Sequence, residues 1–361
     1  MTRFFSVCLM IFLWSSLALP AQAEQFPFGQ CHIEKMPVQR IYATLKLDFE
    51  TDSAFAAREW VAYVCVPPVL CGQKDISVTL SAPGAKTSCA TISEHSLLQR
   101  KLIAVRTYGD GGFEQKLPLE AHFWGTLFRR RLLPGSGGEV EKPSGAEWRN
   151  CLAESETIDF KSFDFQSFLD RQGLRLRTGE RDIDFAFRVF EKIRQIYSYK
   201  FQSGQDRRVS ALCHVGETDC GGLSFLFVGA LRANDIPARP LVGRWAKSDN
   251  AQDDAAGYGQ CHVKSEFYAA DIGWVPVEMS GAVSHKDGKA LNFFGVDNGD
   301  FLTLHQGTDL VIDSLFFGPK TIYVLQEFAL WVTGTGSYSQ RSRVLRWTVV
   351  SDAIGSGLAG P

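Results

Sequence analysis

Residues 219–239 read D-C-G-G-L-S-F-L-F-V-G-A-L-R-A-N-D-I-P-A-R, and this stretch decides the fold. Apolar residues such as Phe227 and Leu231 recur at helical spacing, which predicts a helix that begins at Cys220 and ends near Asn234. A helix N-terminus offers unpaired N–H groups and a positive dipole end, and both stabilise a thiolate. Two glycines follow the cysteine and leave room for a substrate backbone. Cys220 is therefore a candidate nucleophile, although most cysteines are buried apolar residues or disulfide partners.

A β-hairpin is predicted after this helix. Residues 236–243 turn into a first strand, and residues 261–268 and 273–277 form the two strands of the hairpin around a turn at 269–272. Folding the hairpin places Glu278 opposite His262, although a slip of one residue in register would turn the carboxylate away. Asp271 is the alternative acid, but its position in a tight turn favours a turn role.

Four blocks in this order carry a resemblance to a known family: D-C-G-G-L-S at 219–224, L-R-A-N-D-I-P-A-R at 231–239, H-V-K-S-E-F-Y at 262–268 and G-W-V-P-V-E at 273–278. Together they resemble the transglutaminase-like superfamily, over about residues 183–311. The resemblance implies an α+β fold with a papain-like transglutaminase core, in which a helix-borne cysteine packs on an antiparallel sheet. It also implies Cys220 as nucleophile, His262 as base and Glu278 as the acid that orients the base. The family usually has Asp where this chain has Glu278.

The chemistry that such a set supports is acyl transfer through a thioester. The thiolate attacks an amide carbonyl, and the imidazolium protonates the leaving amine. We expect an amide or peptide bond hydrolase that acts on a protein or peptide substrate and uses no cofactor or metal. The alternatives are a protein-crosslinking transglutaminase and a non-catalytic envelope scaffold or binding protein. The oligomeric state and the substrate are left open by the sequence.

The region before the family blocks is rich in predicted strands. Short alternating segments occur at residues 43–49, 60–66, 76–80 and 102–107, with Pro- and Gly-rich turns between them. They predict a β-sandwich-like N-terminal domain over residues 24–133, followed by a linker at 134–146. The catalytic domain is expected at 147–350, with C-terminal strands near 321–331 and 343–350, and a flexible tail at 351–361. Within that domain, the apolar stripe over 182–199 predicts a helix with one face in the core.

The N-terminus has the pattern of a secretory signal peptide. Arg3 precedes an apolar run over residues 4–19, and the small-residue sequence Ala21-Gln22-Ala23 follows. We expect cleavage near Ala23 and a periplasmic or secreted product. No later window has the roughly 18 uninterrupted apolar residues that a membrane span requires.

Composition and cysteine spacing limit the remaining functions. Forty acidic side chains against 38 basic ones leave no basic excess for a nucleic-acid backbone. The mature chain would keep eight cysteines in a compartment where disulfides persist, so structural disulfides are expected, with Cys213 and Cys261 as a candidate pair. Neither the cysteines nor the histidines other than His262 have the spacing of a common metal site.

Overall fold

The computed structural model describes residues 28–108, 115–137, 140–247 and 259–354. The predicted signal peptide and its cleavage site near Ala23 lie outside the described residues. Among the described helices, none has the length and apolar character needed to cross a membrane.

The elements follow one another in a β-rich, then mixed, then β-rich order. The first part contains β1 Cys31–Thr51, β2 Phe55–Cys65, β3 Gln73–Ser81, β4 Thr87–Ser93, β5 Lys101–Tyr108 and β6 Lys116–Pro134. The middle part contains α1 Gly145–Leu152, α2 Phe163–Gln172, α3 Asp182–Ile196, β7 Ser198–Tyr199, α4 Val209–Leu212, β8 Glu217–Thr218, α5 Cys220–Arg232, β9 Ala238–Trp245, β10 Cys261–Ala269, β11 Gly273–Val277 and α6 Met279–Ser284. The last part contains a 3₁₀ turn Ala290–Asn292, β12 Val296–Asp297, β13 Phe301–Gln306, β14 Leu310–Asp313, β15 Pro319–Ile322, β16 Ala329–Gly336 and β17 Gln340–Ala353.

Two antiparallel sheets form the β-sandwich. One has the strand order β12-β6-β1-β17, with β3 also paired to β6, and the other has the order β16-β2-β5-β4. Alternation explains the arrangement, because Leu45 and Leu47 of β1 are buried while Lys46 and Asp48 are exposed. The buried residues of both sheets form one apolar cluster. The four strand segments predicted in this region are confirmed.

The C-terminal strands return to this sandwich. β17 pairs with β1 along its length, from Gln39 opposite Ala353 to Thr51 opposite Gln340, and β16 pairs with β2. The expected grouping of residues up to 350 with the catalytic region therefore differs from the strand pairing. The physical reason is that β1 and β2 would otherwise each present an unpaired edge. Residues 351–353, expected in a flexible tail, are the end of β17, and residues 355–361 lie outside the described part.

The middle of the chain forms a second region around α5, which we call the core. Every residue of α5 from Gly221 to Arg232 is buried, and the helix packs against β9 and β10 of an antiparallel sheet with the order β11-β10-β9-β13. The predicted helix over residues 182–199 is present as α3, which ends at Ile196. This arrangement is the α+β fold expected for a helix-borne cysteine on an antiparallel sheet.

The predicted hairpin is confirmed as β10 and β11. Ala269 lies opposite Gly273, and Ser265 lies opposite Val277. The Ile272 N–H donates to the Ala269 oxygen at 3.0 Å and closes the turn. This register brings the end of β11 alongside the start of β10.

Charged side chains are buried where the core meets the sandwich. Arg130 of β6 donates to Glu266 of β10 at 2.6 Å and to Asp297 of β12 at 3.0 Å. Arg239 of β9 donates to the other Glu266 oxygen at 2.7 Å. The two guanidinium groups hold the pKa of the buried Glu266 carboxyl below its usual range despite the opposing effect of burial. The network therefore ties strands of both regions together through ionised groups.

The expected disulfides are not found among the described cysteines. Cys213 ends α4, and its thiol donates to the Ser210 oxygen at 3.0 Å. Cys261 begins β10, where its sulfur accepts from Arg244 at 3.2 Å. The proposed pair is therefore wrong for this structure, since each thiol has a different neighbour.

Candidate active site

Cys220 is the first residue of α5, as its sequence context predicts. The preceding residue, Asp219, caps the helix, and its carboxylate accepts the Gly222 N–H at 3.1 Å. Arg207 in turn donates to that carboxylate at 2.6 Å and fixes its orientation. At the other side of the helix, the Ser224 hydroxyl donates to the Val263 oxygen at 3.1 Å and joins α5 to β10. The position of the thiol is thus set by a helix cap and by the sheet.

The two glycines after Cys220 have different explanations. A side chain at Gly222 would come within 2.1 Å of the Thr218 hydroxyl, so this glycine is required by packing inside the protein. Gly221 has only ordinary neighbours at 3.4 Å or more and lines a cavity next to Cys220. Only Gly221 is therefore placed to leave room for a substrate. The sequence predicted this role for both glycines, but Gly222 is required by its contact with Thr218.

His262 and Glu278 lie in direct contact. The Nε2 atom of His262 is 3.0 Å from Oε1 and 2.9 Å from Oε2 of Glu278. Cys220 lies close enough to the imidazole to raise the pKa of His262. Because Nε2 faces the carboxylate, Nδ1 is the nitrogen left for the sulfur. The structure thus brings Glu278 into direct contact with His262 and places Cys220 next to the same imidazole.

The charged groups around His262 favour the protonated imidazolium form of its side chain. Burial lowers the pKa of His262, but the Glu278 charge and hydrogen bonds to Cys220 and Glu278 outweigh it and raise the pKa to about 9. Burial also raises the pKa of Glu278, while His262, Lys264 and Ser280 lower it to about 2. The two side chains expose only 10% and 13% of their surface, so solvent screens their attraction weakly.

Glu278 is held by its own chain segment. The carboxylate caps the short helix α6 by accepting the Ser280 hydroxyl at 2.7 Å and the Gly281 N–H at 3.3 Å. Its backbone N–H donates to the Phe293 oxygen at 2.8 Å. These bonds fix the Glu278 carboxylate against the imidazole, although its side chain is one methylene longer than that of Asp.

Comparisons with known proteins address the fold around this site. Residues 173–279 match the family model of the transglutaminase-like superfamily, and this segment includes Cys220, His262 and Glu278. The core of this chain is transglutaminase-like. No curated protein matches the chain.

One solved structure agrees with this chain at the level of the fold. A candidate cysteine protease from Cytophaga hutchinsonii is similar with a TM-score of 0.53 and 10% identity, over 90% of this chain and 94% of that one. At this identity the similarity concerns the fold alone. The periplasmic domain of TgpA from Pseudomonas aeruginosa is 12% identical over 72% of this chain and 97% of that domain, with a TM-score of 0.34.

Asp271, the alternative acid, lies at the far end of the hairpin from the transglutaminase-like site. It is exposed in the turn between β10 and β11. At about 3.3 Å per residue, the seven residues from His262 to Ala269 span about 23 Å. Asp271 instead lines a separate cavity of about 430 Å³ together with Cys31 and Asp182. The carboxylate next to the imidazole is that of Glu278.

Two aromatic rings contact the imidazole and a lysine lies against both rings, and none of the three was predicted from the sequence. Trp245 at the end of β9 stacks on His262 with ring centres 4.5 Å apart, and Phe301 of β13 meets it edge-on at 6.0 Å. The Lys264 ammonium lies 4.7 Å from the Trp245 ring and 3.5 Å from Asp297. These residues have no signal in local periodicity, because their common feature is a shared position across three strands.

Gln326 is a further residue that the sequence analysis did not identify. Its side-chain N–H₂ group donates to the backbone oxygens of Gly243 and His262, both at 2.8 Å. The neighbouring Leu325 N–H donates to Nε2 of the buried His305 at 3.0 Å. Burial and the charge of Arg100 lower the pKa of His305 to about 3, so it remains a neutral acceptor. The segment between β15 and β16 thereby supports the backbone that carries His262.

Tyr199 reaches the same site from the end of β7. Its side chain and Cys220 both line a cavity of about 290 Å³. Burial and the charges of Cys220, Asp219 and Glu278 raise the pKa of Tyr199 to about 12. The phenol therefore stays protonated at neutral pH and can donate a hydrogen bond next to the thiol. Among the described residues, no group of His, Cys, Asp and Glu side chains could hold a metal ion.

Proposed function

We propose that this protein is an exported, cysteine-dependent hydrolase of amide or peptide bonds. Cys220 is the nucleophile, His262 the base and Glu278 the acid that orients it. The observation that carries the proposal is the 2.9 Å contact between the His262 imidazole and the buried Glu278 carboxylate, next to Cys220 at the start of α5. Export rests on the predicted signal peptide, and a mature chain that begins at Glu24 would test it.

The reaction proceeds in two halves. The thiol proton moves to His262, and the thiolate attacks the amide carbonyl to form a tetrahedral oxyanion. The imidazolium then gives its proton to the leaving amine as the C–N bond breaks, and a thioester on Cys220 remains. Water, deprotonated by the now neutral His262, attacks the thioester and releases the carboxylic acid and the thiol. Glu278 stabilises the imidazolium through both halves.

The oxyanion needs donors that are aimed at it before the reaction begins. The backbone N–H of Cys220 at the start of α5 is one, and the protonated Tyr199 phenol in the same cavity is the other. A single donor of this kind contributes roughly 3 kcal/mol to lowering the barrier. Tyr199→Phe should thus lower kcat by about 100-fold while leaving KM nearly unchanged. A rise in KM with an unchanged kcat would exclude Tyr199 as an oxyanion donor.

Hydrolysis is preferred to amine transfer because both compete for one thioester. Water is present at about 55 M, so an amine wins only when the protein binds and orients it. In the described lining of the Cys220 cavity, the Asp219 carboxylate is paired with Arg207 at 2.6 Å and is therefore not available to hold a lysine ammonium.

The test uses the mature protein with a glutamine-rich protein and a labelled primary amine, followed by mass spectrometry. Chain cleavage, or a gain of one mass unit at glutamine, is the expected result. Amine incorporation as the main product would establish the crosslinking transglutaminase instead. Cys220→Ala should abolish every product, and Cys89→Ala, which removes an exposed thiol of β4, should change nothing.

A separate measurement asks whether Cys220 is a reactive thiol at all. Brief iodoacetamide treatment at mildly acidic pH, followed by peptide mapping, should label Cys220 before the buried Cys65 and Cys71, since burial raises the pKa of both to about 12. Labelling that does not favour Cys220, or its recovery in a disulfide, would reject the catalytic assignment and favour the scaffold.

A further inference from the structure

The cavity beside Cys220 has four aromatic rings in its described lining, one of which is the buried Phe225 of α5. The other three are Tyr199, the last residue of β7, Phe201 just after it, and Tyr323 in the segment after β15. They expose 45%, 50% and 44% of their surface. A group of exposed aromatic side chains around a reactive thiol marks a binding surface, because a soluble protein gains no stability from exposing them.

The charged side chains described in the lining of this cavity, Arg207 and Asp219, form an ion pair with each other. Arg207 donates to Asp219 through Nε at 3.0 Å and Nη2 at 2.6 Å, and also to the backbone oxygens of Gln205 and Gln202. The same guanidinium lies 6.0 Å from the Phe201 ring and 5.6 Å from the Tyr323 ring. Arg207 therefore supports the aromatic walls, and a charged substrate side chain would have to displace an existing ion pair.

The position of the cavity relative to the imidazole determines which part of a substrate enters it. Cys220 and Gly221 line the cavity, whereas His262 is not among its described lining residues. The leaving amine must face His262 to receive its proton, so the acyl part of the substrate lies on the opposite side of the thiol. That side is the aromatic cavity.

We propose that this cavity is the subsite that selects the substrate, and that it takes a bulky apolar or aromatic side chain on the acyl side of the bond to be cleaved. The inference rests on the proposed function. Its volume of about 290 Å³ is sufficient, because an apolar cavity of about 150 Å³ already holds a benzene ring. Burial of such a side chain against Phe201 and Tyr323 supplies the affinity.

The experiment uses dipeptidyl acyloxymethyl ketones that differ only in the residue next to the reactive carbonyl: Phe, Gly, Glu or Lys. The second-order rate of Cys220 labelling is measured by intact mass, with iodoacetamide as a probe that has no side chain. The Phe probe should react at least tenfold faster than the Gly, Glu and Lys probes. Phe201→Ala should bring the Phe-to-Gly ratio close to one, while Phe163→Ala, an aromatic that is 84% exposed outside this cavity, should leave it unchanged.

The outcomes separate the subsite from the proposed function. Equal rates for all four probes, or a preference for Glu or Lys, would overturn the subsite while iodoacetamide labelling of Cys220 keeps the nucleophile. Failure of iodoacetamide to label Cys220 would overturn the proposed function and the subsite with it. An unchanged Phe-to-Gly ratio in both Phe201→Ala and Tyr323→Ala would show that the preference arises elsewhere.

Discussion

The β-sandwich and the core place their charged side chains differently. In the sandwich, pairs such as Asp48 and Arg346 lie on the outside of the strands and expose 56% and 43% of their side chains. In the core, Glu266 is completely buried between Arg130 and Arg239. The difference teaches that alternation of apolar and polar residues accounts for the charges on the outer faces of the sandwich strands, whereas a buried charge such as Glu266 requires specific partners. A buried charge is stable only while its partners remain in place.

The same contrast applies to the candidate site. His262, Glu278 and Lys264 are buried ionisable groups on or next to the β10–β11 hairpin, and each has a charged neighbour. The segment that supports His262 from behind carries Gln326 and runs into β16, which pairs with the sandwich. The segment between β15 and β16 therefore contributes a positioning residue to the site, and the sandwich anchors one end of that segment.

The largest effect on stability is expected from Glu266→Ala. The substitution leaves Arg130 and Arg239 buried without the carboxylate that both contact, which should destabilise the protein by about 3–5 kcal/mol. Urea unfolding followed by tryptophan fluorescence measures this change. A loss below about 1 kcal/mol would mean that the buried network does not distinguish the core from the sandwich.

The next largest effect is expected from Glu278→Gln, which should change the pH dependence of Cys220 alkylation. The pKa of His262 is raised to about 9, so the imidazolium persists below that pH and is lost above it. Removing the carboxylate charge lowers this pKa, and the basic limb of Cys220 alkylation should therefore move to lower pH. The rate near neutral pH should fall by about 10–100-fold, less than in His262→Ala.

The matched control for this change is Asp271→Asn, which removes a carboxylate in the exposed turn of the same hairpin. Its pH profile should equal that of the unaltered protein. If Asp271→Asn moves the basic limb and Glu278→Gln does not, the acid has been assigned to the wrong residue.

A smaller effect is expected from Gln326→Met, which keeps the side-chain length and removes the two donors to Gly243 and His262. Because each hydrogen bond contributes about 1 kcal/mol, stability should fall by about 1–2 kcal/mol. The looser His262 backbone should reduce Cys220 alkylation about tenfold. Glu327→Gln, which alters the neighbouring side chain that pairs with Arg343, is the control and should keep the alkylation rate. Equal rates in the two variants would show that Gln326 has no positioning role.

The smallest effect is expected in the sandwich, from Arg346→Ala. Its partner Asp48 is solvent-exposed, so the loss should stay below about 0.5 kcal/mol and shrink further in salt. Urea unfolding at low and high ionic strength measures it. A loss above about 1 kcal/mol would contradict the contrast between the two regions.

Local pattern was sufficient for the elements that carry the chemistry. The helix that begins at Cys220, the hairpin over residues 261–277 and the first sandwich strands follow from periodicity, turn residues and the four family blocks. These features depend on neighbours within one or two turns of chain, and such neighbours are visible in the sequence. The proposed disulfide between Cys213 and Cys261 failed for the opposite reason, because pairing depends on the distance between separate elements.

The sequence by itself determined which residues could react, since thiol, imidazole and carboxylate are fixed by residue type and their spacing along the chain places them on one helix and one hairpin. Only the tertiary structure decided what surrounds them. Trp245 on His262, Gln326 under its backbone and the aromatic residues of the cavity beside Cys220 come from separate segments, and Tyr199 and Tyr323 of this cavity are 124 residues apart in the chain. No local periodicity encodes such contacts, because strand pairing and sheet packing bring these segments together only when the whole chain folds.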